Sequence, residues 1–175
     1  IQVVANGEIY NFAEVRRELE QRGHAFHSRS DIEVLAHAYE EYGEAFLGRL
    51  RGMFALALWD GRTRTLLAAR DRAGEKPLYY AQTPSGLLLG SEIKALLSRA
   101  EVSREVDLEA IDQFLTYEYI IAPRTIFKHI RKLPAAHYLR YRDGDVQVRR
   151  YWDAADVTPR TWSENEARDA VRETL

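Results

Sequence analysis

Ile1-Gln2-Val3-Val4-Ala5-Asn6-Gly7-Glu8-Ile9-Tyr10-Asn11 opens the chain with an apolar, β-branched run that enters an Asn-Gly pair. Such a run reads as a strand ending in a tight turn, with Gly7 free to take positive φ and Asn6 well suited to a turn. The next residues read as a helix start: Asn11 is placed to cap, and Glu14 would complete a capping box. A strand, a sharp turn and a helix start bring backbone N–H groups and short polar side chains to one sheet edge. That combination can hold a developing negative charge.

Outward from this stretch, Phe12, Val15 and Leu19 follow at helical spacing, and Gly23 supplies a stop. Ser30-Asp31-Ile32-Glu33 reads as a second capping box, opening a helix with Val34, Leu35, Ala38 and Tyr42 on its apolar side. Two amphipathic helices in a row imply a layer packed on something apolar. Met53 to Trp59 supplies it, as an apolar run short enough for a buried strand. Asp60-Gly61 then marks a hairpin to Thr65–Ala69, and Leu78–Ala81 pairs with Leu87–Leu89 around Pro84-Ser85-Gly86. Ser91 to Leu97 reads as a short helix, and Asp107 caps another carrying Leu108, Ile111, Phe114 and Leu115. Tyr138–Tyr141 and Val146–Trp152 flank Asp143-Gly144, and Ser163-Glu164-Asn165-Glu166 opens a last helix toward Leu175. Strands joined by hairpins and flanked by helix pairs predict an antiparallel α+β layered fold.

Composition removes several function classes. The 175 residues carry 25 Lys and Arg against 27 Asp and Glu, and no long basic stripe appears, so nucleic acid is not an expected partner. Arg140, Arg142, Arg149 and Arg150 flank the Asp143-Gly144 turn and suit a solvated hairpin. No apolar stretch approaches a membrane span and no signal peptide is visible, so the expected location is the cytoplasm. The chain contains no cysteine, which excludes disulfides, thiolate metal sites and a cysteine nucleophile within these residues. Among the five histidines, His24-x-x-His27 is the only close pair in sequence. It lacks carboxylates at ligand spacing, so no metal site is expected and the histidines read as solvated or hydrogen-bonded.

Three further stretches carry chemistry-bearing residues. Ser91-Glu92-Ile93-Lys94 has serine-x-x-lysine spacing but lacks companion motifs, so it reads as an N-cap with a helix-face ion pair. Arg70-Asp71-Arg72-Ala73-Gly74-Glu75-Lys76-Pro77 reads either as a solvated turn or as a buried charge network beneath a functional surface. Asp31 and Glu33 have local explanations at a helix start. Glu8 has none, and two carboxylates near the Asn-Gly pair could hold the ammonium of a small amino acid.

Taken together, these stretches resemble class II glutamine amidotransferase domains, specifically the glutaminase half of glutamine-hydrolysing asparagine synthetases. The resemblance rests on Asn6 to Asn11, Ser30-Asp31-x-Glu33, Arg51-Gly52-Met53-Phe54-Ala55, Arg70 to Tyr80, Ser91 to Leu96, and Lys132-Leu133-Pro134 with His137-Tyr138-Leu139 and Arg150-Tyr151-Trp152. It implies a four-layer αββα N-terminal-nucleophile sandwich with antiparallel sheets. It also implies an N-terminal cysteine attacking the glutamine side chain, with Asn6 and Gly7 holding the oxyanion, and Glu8 and Asp31 contacting the amino-acid part of glutamine. Ammonia would pass to the parent's own C-terminal synthetase domain, where ATP and Mg activate aspartate; ATP, aspartate and glutamine would give asparagine, glutamate, AMP and pyrophosphate. No cofactor is expected within these residues themselves, and a homodimer is an expected assembly.

The family's nucleophilic cysteine, its glutamine-carboxylate loop, its first strands and its pyrophosphate loop are not in these residues, and Ile1 cannot act as the nucleophile. The chain is therefore expected to be an excerpt, inactive alone: residues 1–105 the amidotransferase domain without its first strands, 106–158 its end and connection, and 159–175 a linker and first helix. Other class II amidotransferases share the Asn-Gly pair but usually not Glu-Ile-Tyr-Asn after it. A non-catalytic scaffold domain of a related amide or lactam synthetase is the alternative from a different class.

Overall fold

In the computed structural model, which describes residues 1–174, two antiparallel sheets stack between helices. The first sheet has the order β1-β2-β3-β7-β8, from Gln2–Ile9 (β1), Gly52–Asp60 (β2), Thr65–Arg70 (β3), His137–Arg142 (β7) and Asp145–Arg150 (β8). The second has the order β5-β4-β6, from Tyr79–Thr83 (β4), Gly86–Gly90 (β5) and Arg131–Lys132 (β6). Phe12–Gln21 (α1) and Glu33–Tyr42 (α2) cover the outer face of the first sheet, burying Val15, Leu19, Val34 and Leu35 against Ile9, Phe54, Leu56 and Leu67. Ala55, Ala68 and Leu139 on the opposite face meet Leu78 and Leu133 between the sheets. Ile93–Leu97 (α3) closes the far side with Leu96 against Ala81 and Ile130. The expected αββα layering is what the chain adopts.

The face that each strand residue occupies follows from the two-residue period. Phe54, Leu56 and Leu58 face the helices, whereas Ala55 faces the second sheet; along β1, Val3, Ala5 and Ile9 share the helix side. On β2 and β3 the inter-sheet face carries the alanines Ala55 and Ala68, over which Leu78 and Leu133 pack, whereas Phe54, Leu56 and Leu58 fill the space beneath the helices.

Several local expectations are corrected. Asn6-Gly7 is not a tight turn: β1 runs through it to Ile9, with Gly7 opposite Phe54 and Glu8 opposite Met53. Gly7 does take positive φ, at 144°, but inside the strand, where a Cβ would stand 2.0 Å from the Met53 carbonyl oxygen. The glycine is needed for close strand approach. Asn11 starts α1 without a side-chain cap; its carboxamide clasps the neighbouring loop, donating to the Arg49 carbonyl (2.9 Å) and accepting from the Arg51 N–H (2.8 Å). Ser30 and Glu33 form no capping box either. Glu33 reaches back to the His27 N–H (2.7 Å) and to the Ser28 N–H and hydroxyl, and these bonds hold its carboxyl down to about 2. In both cases the side chain instead satisfies backbone groups of a neighbouring loop, distant in sequence for Asn11 and just upstream for Glu33.

Other expectations stand. Asp107 caps Leu108–Tyr117 (α4), and Asp143-Gly144 turns between β7 and β8 with both residues at positive φ. Ser163 and Glu166 form the reciprocal box that opens Glu164–Thr174 (α5), and Leu175 lies outside the described residues. No helix of the described residues is long and apolar enough to cross a membrane.

Candidate active site

β1 is the edge of its sheet, and its hydrogen-bonding pattern decides what that edge presents. The Phe54 N–H and C=O both turn toward Asp71, the former to its carboxylate (3.2 Å), the latter accepting from its N–H (2.8 Å). Gly7, opposite Phe54, therefore stands at a non-hydrogen-bonded position and directs its own N–H away from β2. Ile9 shows the same parity: its N–H leaves the edge and donates to Asp31 Oδ2 at 2.9 Å.

Asn6 and Glu8 lie on the strand face toward the second sheet, both exposed. Asn6 lines a cleft of about 250 Å³ between the sheets with Val4, Ala55, Leu78, Leu89, Gly90 and Ser91. Its Nδ2 points at Ser91 Oγ across 3.4 Å, a long contact that leaves the amide able to turn to another acceptor. Two donors, the Gly7 N–H and the Asn6 carboxamide, thus come from consecutive residues of one strand. Asp31 joins the same strand from the start of the α2 segment through Ile9. Asn6, Gly7, Glu8 and Asp31, all named from sequence, are gathered along one edge.

The Arg70–Pro77 loop lies beneath them as a buried network. Asp71 is fully buried and accepts from the backbone N–H groups of Phe54, Glu75 (2.9 Å) and Lys76 (3.0 Å). Arg70, also buried, donates to the carbonyls of Lys76 (2.7 Å), Leu133 (2.9 Å) and Gly74, and burial lowers its guanidinium pKa. The Tyr151 hydroxyl donates to the Arg70 carbonyl (2.9 Å). Of the two sequence readings of this loop, the buried network is correct. It fixes β2 and hence the β1 edge.

Sequence reasoning missed two neighbours of the edge. Ser91 caps no helix, since the cap position belongs to Glu92; its hydroxyl is turned to Asn6. Tyr10, next to Glu8, has its phenol pushed up by partial desolvation and by the charges of Glu75, Glu8 and Asp71. Serine before a helix is usually a cap, and only the approach of Ser91 to Asn6 across the cleft reveals otherwise.

Residues 1–152 match the family described as glutamine amidotransferase domain. The chain belongs to that family. It is 40% identical over 152 residues to glutamine-hydrolyzing asparagine synthetase 3 of Bacillus subtilis strain 168, covering 86% of this chain and 25% of that protein. It is 36% identical over 177 residues to synthetase 1 of the same organism, covering 99% of this chain and 28% of the relative. The chain thus spans about a quarter of the length of these curated relatives. Among solved structures, the glutamine phosphoribosylpyrophosphate amidotransferase of B. subtilis superposes with a TM-score of 0.59 at 20% identity, over 86% of this chain and 29% of that one. That likeness shows a shared fold, the layered antiparallel α+β sandwich.

The cleft of this amidotransferase domain does not suit ATP with magnesium. Its lining is mostly alanine, valine and leucine, with Asn6 and Ser91 as its only polar side chains and no cation to meet a triphosphate.

Proposed function

We propose that this domain is the glutaminase part of a glutamine-dependent asparagine synthase. The observation that carries the reading is the pair of donors at the β1 edge, the Gly7 N–H and the Asn6 carboxamide. In acyl transfer from glutamine, a thiol attacks the side-chain carbonyl carbon and the carbonyl oxygen becomes an oxyanion. Donors held by a strand whose neighbour is locked through Asp71 need little reorganisation when that charge develops. Collapse of the tetrahedral adduct expels ammonia and leaves a thioester, which water then hydrolyses to glutamate. The thiol would come from outside these 175 residues, which hold no cysteine.

Glu8 and Asp31 would face the ammonium of glutamine. Asp31 spends Oδ2 on Ile9, leaving Oδ1 for the substrate. From Asn6 to Ile9 the strand advances about 10 Å, a span that an extended amino acid with a hydrogen bond at each end covers.

The remaining partners belong to the rest of the parent. The names of the relatives and their extra length support a synthetase domain that uses ATP and Mg to activate aspartate and consumes the ammonia. The same chain carries an apolar face suited to such a neighbour: α4 buries only Ala110, while Leu108 and Leu115 are each 77% exposed and Phe114 54% exposed. Proximity in one polypeptide makes that docking effectively intramolecular. A cytoplasmic location and a homodimer remain parts of this proposal.

The test is glutamine hydrolysis by the full-length protein. Asn6→Ala should lower kcat about 10²–10³-fold with little change in KM. A rise in KM at unchanged kcat would remove the oxyanion role. An amide acceptor other than aspartate, the second reading, is favoured by the 36% identity over 154 residues to amidase chyE of Penicillium rubens. Ammonia release that responds to a different carboxylate would select it.

A further inference from the structure

His24 and His37 come from different elements and meet on the outer helix layer. His24 follows Gly23 at the end of α1, and His37 lies in α2. Their Nδ1 atoms stand 3.2 Å apart, with the rings edge-on at 77°. Two nitrogens bound to tetrahedral zinc at about 2.0–2.1 Å are themselves about 3.3–3.4 Å apart, so the pair is already close to that bite. Glu40, one turn after His37, brings Oε2 to 3.9 Å from His37 Nδ1, and the three ligand atoms all lie within 4.8 Å of one another.

The outer nitrogens supply the second observation. His24 Nε2 faces Glu41 Oε2 at 3.2 Å, and His37 Nε2 faces Glu33 Oε1 at 3.8 Å. The Glu41 carboxylate is within hydrogen-bond distance of His24 Nε2, and the tautomer that this favours, with the proton on Nε2, turns the His24 Nδ1 lone pair inward toward His37. Two imidazole nitrogens at this separation share either a proton or a metal cation. The surrounding charge suits one. Glu33, Glu40 and Glu41 outnumber the nearby guanidiniums, Arg22 on Glu41 (2.9 Å) and Arg62 on Glu40 (3.7 Å). Phe26 shields the His37 ring, and the two histidine side chains are only 17% and 19% exposed.

We infer that His24 Nδ1, His37 Nδ1 and Glu40 Oε2 bind a divalent transition-metal ion of the zinc type, with solvent completing the tetrahedron. Glu40 needs to swing closer to both nitrogens to reach that bite, which its exposed side chain permits. The ion fastens the end of α1 to α2, on the layer opposite the inter-sheet cleft. The sequence expectation of no metal considered only His24 with His27, and His27 is not part of the cluster, which is His24, His37 and Glu40.

The test uses the full-length protein, stripped with chelator and titrated with Co(II) followed by visible absorption, then with Zn(II) by calorimetry. The expected result is a tetrahedral Co(II) band displaced by Zn(II). His24→Gln and His37→Gln should abolish it, and His27→Gln should leave it unchanged. Glu40→Gln and Glu41→Gln, on the exposed side of α2, should each weaken binding about 10-fold or more while the protein stays folded by circular dichroism. A proton shared by the two imidazoles would give no cobalt band at all. That result overturns the inference, as does a band unaffected by both glutamate substitutions.

Discussion

The Asp31 carboxylate accepts a hydrogen bond from the Ile9 backbone N–H at 2.9 Å, joining the segment before α2 to the edge of the first sheet. One oxygen therefore has a structural duty while the other is open to a substrate. Asp31→Asn keeps an acceptor for Ile9 but removes the charge. Unfolding by denaturant should stay within about 0.5 kcal/mol of the parent, while KM for glutamine rises. Asp31→Ala should raise KM as well and also cost about 1–2 kcal/mol of stability. An Asn variant with normal KM would leave Asp31 a purely structural residue.

Gly7→Ala is a backbone test. The added Cβ would overlap the Met53 carbonyl oxygen and crowd Phe54 Cα, which stands 2.7 Å away. Both are main-chain atoms of the paired strand, so the clash cannot be relieved by a rotamer change. We expect a loss of about 3 kcal/mol in chemical unfolding, together with loss of glutaminase activity.

Asp71→Asn acts beneath the site. The substitution presents an NH₂ group to backbone donors and leaves the Arg70 guanidinium without its neighbouring charge. Leaving a buried backbone donor without its acceptor costs about 1–3 kcal/mol, and the effect should appear as a lower unfolding midpoint. Unchanged stability would mean that the network is replaceable by solvent.

Glu33 sets a pH window. Its carboxyl is held down to about 2, first by the His27 N–H and then by Ser28. A depressed carboxylate contributes stability that is full above its unfolded value, about 4.3, and lost as pH falls through the folded value. The difference in thermal midpoint between the parent and Glu33→Gln should therefore be constant above about pH 4.5 and vanish toward pH 2. A difference that persists at pH 2 would place the stabilisation elsewhere.

The apolar face of α4 makes a prediction about coupling. Leu108→Glu with Leu115→Glu alters residues that are 77% exposed, so the domain itself should lose less than about 0.5 kcal/mol. In the full-length protein, glutamine hydrolysis should persist while amide product per glutamate falls. Product and glutamate remaining in step would show that this face does not meet the ammonia-consuming part.

Much of this fold is written locally. The apolar run at Met53–Trp59, the Asp-Gly hairpins and the two amphipathic helices specify antiparallel strands under a helical layer, because period and turn chemistry are properties of neighbouring residues. The same holds for Asn6, Gly7, Glu8 and Asp31, whose motifs mark them as a candidate site in the sequence itself. Tertiary structure decided what those residues do to one another. Asn6-Gly7 reads locally as a turn, yet pairing with Phe54 and Met53 makes it a strand edge whose glycine answers to a facing carbonyl. Asn11, Glu33 and Ser91 read locally as caps, yet Asn11 and Ser91 are taken by partners from a distant loop or strand, and Glu33 by the loop that precedes its helix. The Arg70–Pro77 loop was open to two readings until burial of Asp71 chose between them. A hydrogen-bonding side chain takes whichever backbone group the packed chain leaves unsatisfied, and sequence spacing alone does not record which group that is.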